Sequence, residues 1–371
     1  MITIQKTLQI SNPYPFHRQY SVSCEDCLFF DIETTGFQAD ISNVYLIGCC
    51  FFQNNHWQLI QWFADDYISE KNILEEFVKK AKSLSVLLHY NGTGFDLPYL
   101  KKKFIQHDID YDFSNLVSID LYKKICPYKW LLPFSSLKQK SIEEFLSVPR
   151  KDLYSGGDLI SAYVSFIKEH FMKLPEENEH LHLLLLHNEE DVSNLILLTQ
   201  VLSYSHLFET IPHTTYRLVN NILYLTGSTN YPLPHPLFVQ MDAVTFTAHD
   251  TSFQLEISLI QGELKYFFSN YKEYYYLPEE DTAIHKSVAE FVDKAHRIKA
   301  KASNCYTRKA GLFAPQYNGT LEPKFKYAYK DKQSFIEMNS SLMEKEYVRN
   351  QYAFSILTYL CQCKTRNIQR K

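Results

Sequence analysis

Leu28-Phe29-Phe30-Asp31-Ile32-Glu33-Thr34-Thr35-Gly36 is an apolar run that ends in two carboxylates one residue apart. In a strand the side chains alternate between faces, so Asp31 and Glu33 leave the same face within a few ångströms of each other. Two like charges so placed repel. Either one keeps its proton or a cation lies between them, and a divalent metal bound through oxygen is the usual resolution.

The neighbouring sequence supplies the rest of a sheet. Residues 44–53 and 56–63 are rich in aromatic and β-branched side chains, with Gln53-Asn54-Asn55-His56 as a turn, which predicts an antiparallel hairpin. A helix follows over 69–83, with Ser69 as its cap and Ile73, Leu74, Phe77, Val78 and Ala81 as its apolar face. Residues 86–90 form a short apolar strand, and 91–104 turn into a helix whose first turn tolerates Pro98. Helical periodicity continues near 119–125, 135–146, 158–171 and 177–202.

Pro212, Gly227, Pro232, Pro234 and Pro236 then mark a boundary at 205–240, broken only by an apolar segment at 216–225. Beyond it, 243–248, 253–260 and 263–268 read as a meander with a turn at Gln261-Gly262. Residues 283–302 read as a helix with Ile284, Val288, Phe291, Ala295 and Ile298 on one stripe. The fold class is α/β. Residues 1–204 hold a mixed sheet, antiparallel hairpin strands followed by parallel ones, flanked by helices; residues 205–371 form a C-terminal α+β region.

Composition narrows the setting. A chain of 371 residues with 45% apolar and 22% charged side chains is long enough for two or three domains and too apolar to be disordered. No basic, apolar and small-residue leader opens it, and no run approaches the roughly 20 apolar residues of a membrane helix, so a cytoplasmic protein is expected. Eight cysteines in such a chain are not a disulfide framework. Cys24 and Cys27, and Cys361 and Cys363, have the spacing of zinc half-sites but lack knuckle glycines and a nearby His pair, and free thiols are the better reading. The net charge of −4 is segregated: residues 282–371 carry 17 Lys+Arg against 7 Asp+Glu, or +10, and the rest 21 against 35, or −14. An acidic body that holds metal and a basic region that meets phosphate would look like this.

Two further motifs join the first pair. Asn91-Gly92-Thr93-Gly94-Phe95-Asp96 follows a strand, and Asp96 stands where loop becomes helix, either as an N-cap or as a third acid beside Asp31. In His187-Asn188-Glu189-Glu190-Asp191, His187 and Asp191 share one helix face, either as a surface pair or as part of the same site. Asp120 reads as a helix cap, and Arg150-Lys151 as a surface dipeptide.

Together Asp31, Glu33, Asp96, His187 and Asp191 resemble the motif set of the DEDD superfamily of 3′-to-5′ exonucleases, of ribonuclease-H-like fold, and within it the YprB-type ribonuclease-H-like proteins. The similarity spans about 25–202, in the order Asp31 to Gly36, Asn91 to Leu100, and His187 to Val192. One departure stands out. The family's histidine usually precedes the last Asp by five residues and its tyrosine by four; here a histidine has the four-residue spacing. Glu190 is therefore a rival ligand.

The resemblance implies phosphodiester hydrolysis with two Mg²⁺ or Mn²⁺ ions about 4 Å apart. Asp31 would bridge them, Glu33 and Asp191 would complete the nucleophile-side ion, Asp96 would hold the other, and His187 would take the proton of the attacking water. The implied partner is nucleic acid, DNA or RNA with a single-stranded 3′ end. Two other classes stay open: a nucleic-acid-binding scaffold with a silent nuclease fold, and a structure-specific endonuclease.

The C-terminal region adds one pattern. Glu322 to Lys330, EPKFKYAYK, alternates Phe325, Tyr327 and Tyr329 with Lys324, Lys326 and Lys330. It is either a half-buried edge strand or a surface that stacks bases beside cations. Residues 305–309, Cys-Tyr-Thr-Arg-Lys, carry no mechanism.

Overall fold

Alternation of large apolar side chains sets the sheet that carries the first motif. The computed structural model describes residues 1–10, 13–154, 156–169, 173–241, 243–319 and 321–362. The chain divides into two units, Met1–Ser205 and His206–Lys371.

In the first unit β1 (Ile2–Leu8), α1 (Phe16–Gln19), β2 (Cys27–Thr34), β3 (Val44–Gln53) and β4 (His56–Phe63) are followed by α2 (Glu70–Ala81), β5 (Val86–His89), α3 (Asp96–Gln106) and β6 (Val117–Asp120). Helices α4 (Leu121–Ile125), α5 (Gln139–Phe145), α6 (Gly156–Glu169) and α7 (Glu179–Leu198) complete it, and α8 (Leu202–Glu209) crosses into the second. The sheet order is β1-β4-β3-β2-β5-β6. Its first three pairings are antiparallel, and β5 and β6 add in parallel. This is the expected mixed sheet.

The β3–β4 turn is two residues, Asn54 and Asn55, with φ of 51° and 62°. Asparagine tolerates this left-handed backbone, which gives the hairpin the twist its strands need. Strand β1 was not expected; its Ile2 and Ile4 lie on the sheet's edge opposite Phe63 and Gln61. On one face of β2, Phe30 packs against Phe77 of α2 with ring centroids 5.5 Å apart. Helix α2 buries Ile73, Leu74, Phe77, Val78 and Ala81. Its start differs from expectation. Ser69 is already helical and its side chain caps nothing, whereas Asp66 Oδ1 accepts the N–H groups of Ile68 (2.9 Å) and Ser69 (2.6 Å).

The second unit is rich in sheet. Strands β7 (Thr214–Val219), β8 (Ile222–Ser228), β9 (Leu237–Met241), β10 (Val244–His249) and β11 (Ser252–Ser258) form an antiparallel sheet ordered β7-β8-β11-β10-β9. The supposed boundary at 205–240 thus holds three strands. Asn220 and Asn221, with φ of 51° and 60°, make the β7–β8 turn without glycine.

Strand β12 (Ile260–Phe267) leaves that sheet and runs straight through the expected Gln261-Gly262 turn. After β13 (Tyr274–Leu277), β14 (Thr282–His285), α9 (Lys286–Ala289), β15 (Ile298–Lys299), β16 (Tyr306–Gln316), β17 (Phe325–Lys326) and β18 (Ser334–Glu337), it closes a small barrel ordered β12-β16-β18-β17. The last helices are α10 (Ser340–Glu344) and α11 (Glu346–Gln362). Among the described residues, no helix is long and apolar enough to cross a membrane.

Two expectations fail here. Residues 283–302 are not one helix: β14 and β15 flank β13 in a three-stranded sheet, and Phe291, placed on the supposed core stripe, is 91% exposed. The aromatic Tyr274-Tyr275-Tyr276 strand gives both segments a partner, and pairing overrides a stripe that has nothing to pack on. Nor is 322–330 a full strand; only Phe325 and Lys326 pair, and Tyr327 and Tyr329 lie exposed.

Candidate active site

The site starts from one row across three strands. Asp31 on β2 lies opposite Gly48 on β3, which lies opposite Gln61 on β4. Only glycine leaves room there. A Cβ at position 48 would sit 2.1 Å from Asn188 Oδ1, because α7 lowers the fully buried Asn188 amide into the notch. That amide accepts from Gln61 Nε2 (3.0 Å) and donates to Asp31 Oδ2 (3.2 Å). It fixes α7 against the strand and orients the first acid. Past Glu33 the β2–β3 register shifts, and the strand bends where its two carboxylates emerge.

Asp96 arrives from the other side. The loop after β5 turns at Asn91 (φ 61°) and is tied to Asp120, whose carboxylate accepts the N–H groups of Asn91 (2.9 Å), Thr93 (3.3 Å) and Lys123 (3.4 Å) and the Thr93 hydroxyl. Asp120 is thus the cap of α4 and the clasp of this loop. Asp96 opens α3, 6% exposed, and its carboxylate accepts its own N–H and that of Ile32. A bond to the amide between Asp31 and Glu33 sets the third acid beside the first two.

Ser118, His89 and Asp120 have the residue types of a nucleophilic triad but not the polarity. His89 Nδ1 accepts the Gly92 N–H (3.0 Å), so Nε2 faces Ser118 Oγ (2.8 Å) as a donor, the reverse of what activating a serine requires. Burial pushes this imidazole down to about 4, despite the nearby Asp120 charge. It is a neutral structural group.

Helix α7 brings the remaining pair. His187 Nε2 lies 3.0 Å from Asp191 Oδ2 and 3.6 Å from Glu33 Oε1, while Nδ1 meets Asp152 Oδ2 at 2.7 Å. Among the described residues, Glu33, His187 and Asp191 are the group whose ligand atoms lie mutually within 4.8 Å. Arg150, read from sequence as surface, has its side chain covered (8% exposed): it reaches both Glu143 oxygens (2.9 and 3.0 Å) and Asp152 (3.3 Å) and pairs with Asp191. Glu190 does not point into the site. Its carboxylate accepts the N–H groups of Lys151 (2.9 Å) and Asp152 (2.8 Å), pinning the loop that carries Arg150 and Asp152 to the helix.

The charges are unevenly balanced. Burial, together with the charges of Asp191, Glu33 and Asp96, holds Asp31 well above the usual carboxylate range. Burial pushes Glu33 up to about 8 against the pull of His187, and Asp96 up to about 7 against its two backbone donors. On the helix side, burial acts against charge on both partners and is outweighed. The Asp191 hydrogen bond and the charges of Asp191, Glu33 and Asp152 raise His187 to about 9; His187 and Arg150 hold Asp191 low. No cation offsets the acids at Asp31 and Asp96, and at Glu33 the single charge of His187 does not outweigh burial. A set of carboxylate oxygens with one imidazole, short of cation, suits a hard divalent metal.

Among the described residues, no cysteine belongs to a group that could hold a metal ion. Burial raises the Cys24 and Cys27 thiols to about 11 and about 12, and Cys361 to about 12. Cys363 lies outside the described residues. Sequence reading missed Asp152, the covered Arg150 side chain, and the Gly48–Asn188 notch; Asn188 beside His187 on a core-facing helix was the available signal.

Residues 28–203 match the family model of the RNase_H superfamily. Similar solved structures include the family B DNA polymerase from the hyperthermophilic archaeon Pyrobaculum calidifontis (14% identity, 67% of this chain and 35% of that one, TM-score 0.33). They also include an ExoI/SSB-Ct complex (12% identity, 60% and 55%, TM-score 0.26) and the zinc-bound form of an E. coli ExoI–ssDNA complex (9% identity, 89% and 73%, TM-score 0.28). The chain thus spans about a third of the polymerase and about half of ExoI in the first of these complexes. A search of curated proteins returned no match. Residues 28–203, within the N-terminal unit, are thus a ribonuclease-H-like domain.

Proposed function

We propose that the N-terminal unit is a metal-dependent 3′-to-5′ exonuclease that hydrolyses phosphodiester bonds in DNA or RNA. The observation that carries this reading is the cluster of Glu33, His187 and Asp191, whose ligand atoms lie within 4.8 Å of one another, with Asp31 and Asp96 near enough to feel the charge of Asp191 and Asp152 holding the far nitrogen of the imidazole. Asp31, Glu33, Asp96 and Asp191 would hold two divalent ions, Mg²⁺ or Mn²⁺. Such ions activate a water and neutralise charge on the phosphate. His187, oriented by Asp152 at Nδ1, presents Nε2 to the space beside Glu33 and Asp191; divalent ions on those carboxylates would replace the positive charge the imidazole supplies without them, freeing Nε2 to accept a proton there. Arg150 keeps Asp191 ionised and in place.

The test uses end-labelled single- and double-stranded DNA and RNA with Mg²⁺, Mn²⁺ or EDTA, for the protein and for Asp31→Ala. Metal-dependent shortening from the 3′ end, abolished in the variant, is expected. Internal cuts would point to an endonuclease. Binding without cleavage under every condition would sink the enzymatic reading in favour of a scaffold.

A further inference from the structure

The outer face of the C-terminal barrel carries a row of cations that the fold itself does not explain. On β12, Leu264 and Tyr266 belong to the barrel's core, so Lys265 and Phe267 point outward. Lys265 stands directly opposite Lys326 on β17 and directly opposite Arg308 on β16. Like charges facing each other across strands destabilise a sheet, so the row is a cost unless an anion meets it. Arg308 has Glu263 (3.3 Å) and Asp281 (3.7 Å). Lys326 donates to the Asp331 carbonyl (2.7 Å), and Lys265 lies 4.2 Å from the centre of the Tyr306 ring and shares the Asp281 carboxylate with Arg308, so one acid serves two of the three cations.

Aromatic rings line the next row. Phe267 lies opposite Tyr306 on β16, their rings 5.2 Å apart, and Tyr329, 45% exposed, caps Phe267 at 5.5 Å. Beside them opens a groove of about 740 Å³, walled by Tyr266, Phe267, Tyr271, Lys324, Lys326 and Tyr329. That is the size range of sites that bury ligands of roughly nucleotide size. Glu322 sits at its rim, paired with Lys324 at 2.9 Å.

We propose that this groove binds single-stranded nucleic acid, with bases stacked on Tyr329 and its neighbours and the backbone phosphates on Lys265, Lys324 and Lys326. A duplex hides its base faces, so aromatic walls beside a cation row select the unpaired strand. The site goes beyond the hydrolytic reading and does not depend on it, since every wall residue belongs to the second unit.

The experiment measures anisotropy of fluorescent oligothymidylate, oligouridylate and duplex DNA with the full chain in EDTA, where no metal-dependent cleavage enters. Tyr329→Ala should weaken single-strand binding about five- to hundred-fold, the loss of one stacked base, and Tyr329→Phe should restore it. Lys265→Ala should flatten the salt dependence by about 0.7 in log–log slope. Phe291→Ala, exposed in the same unit and off the groove, should bind as the parent does. Absence of binding by the parent, equal affinity for duplex, or unchanged binding by both Tyr329→Ala and Lys265→Ala in correctly folded protein would each overturn the proposal.

Discussion

Replacing Gly48 by alanine tests the notch that joins β3 to α7. The new Cβ would stand 2.1 Å from Asn188 Oδ1 and 2.9 Å from its Cγ, distances no side chain sustains. The backbone at 48 has no positive φ to relieve, so strain falls on the amide. Asn188 must leave, giving up Gln61 at 3.0 Å and Asp31 at 3.2 Å in a fully buried place. Unmade buried hydrogen bonds cost about 1–3 kcal/mol each and overpacking a further 1–3 kcal/mol. A more restricted unfolded chain returns about 0.4–1 kcal/mol. Gly48→Ala should therefore destabilise by about 2–8 kcal/mol, lowering Tm by roughly 4–30 °C for a unit of this size.

The double variant supplies the control. Asn188→Ala alone should cost about 1–3 kcal/mol, because Gln61 keeps its second acceptor, the Leu185 carbonyl at 2.9 Å. On that background the alanine at 48 meets space instead of an amide and should cost nothing measurable. Thermal and urea melts of the four proteins give the coupling directly. Additive losses in the double variant would refute the notch.

Other expectations follow from the same geometry. Glu33 and Asp96, raised to about 8 and about 7, hold protons in the folded state that the unfolded chain has lost above about pH 4.5. Stability in EDTA should thus fall as pH rises from about 4.5 to about 8. His187 acts in the same sense, its contribution full below 6.5 and gone above about 9. Asp191 and Asp152, both lowered, keep their contribution throughout this window and lose it only in acid. The Tm gained on adding Mn²⁺ should accordingly grow with pH, and a flat EDTA profile with a pH-independent gain would contradict the charge deficit. Asp152→Asn removes a charge that raises His187, so the acidic limb of the cleavage profile should move to lower pH; an unmoved limb would deny Asp152 its positioning role. Asp120→Ala unties the loop delivering Asp96 and should cost about 2–4 kcal/mol with a drop in cleavage rate, read by melts and initial rates.

Periodicity made the first unit legible and misled in the second, for one physical reason. In β2, β3, β4 and α7 the apolar spacing coincides with a face that has something to cover, so pattern and packing agree. In 283–302 the helical spacing is real, but Val288, Phe291 and Ile298 are exposed, and strand pairing with Tyr274–Leu277 prevails. Arg150 and Asp152 lie in a loop with no period at all. Their role comes from Glu190 fastening that loop to α7, a contact between residues 38 and 39 positions apart.

This bears on the histidine. The four-residue spacing of His187 and Asp191 puts both on one face of the helix, which fits a ligand as well as a base. Asp152 takes Nδ1 at 2.7 Å, which fixes the ring and leaves Nε2 facing Glu33 and Asp191, an orientation that serves a ligand and a base alike. An imidazole held in this way by a carboxylate that is itself bound to Lys140 and Arg150 is arranged to gain and lose a proton at one defined atom. The spacing alone could not supply that orientation, because the residue that fixes the ring lies 35 positions upstream in a loop.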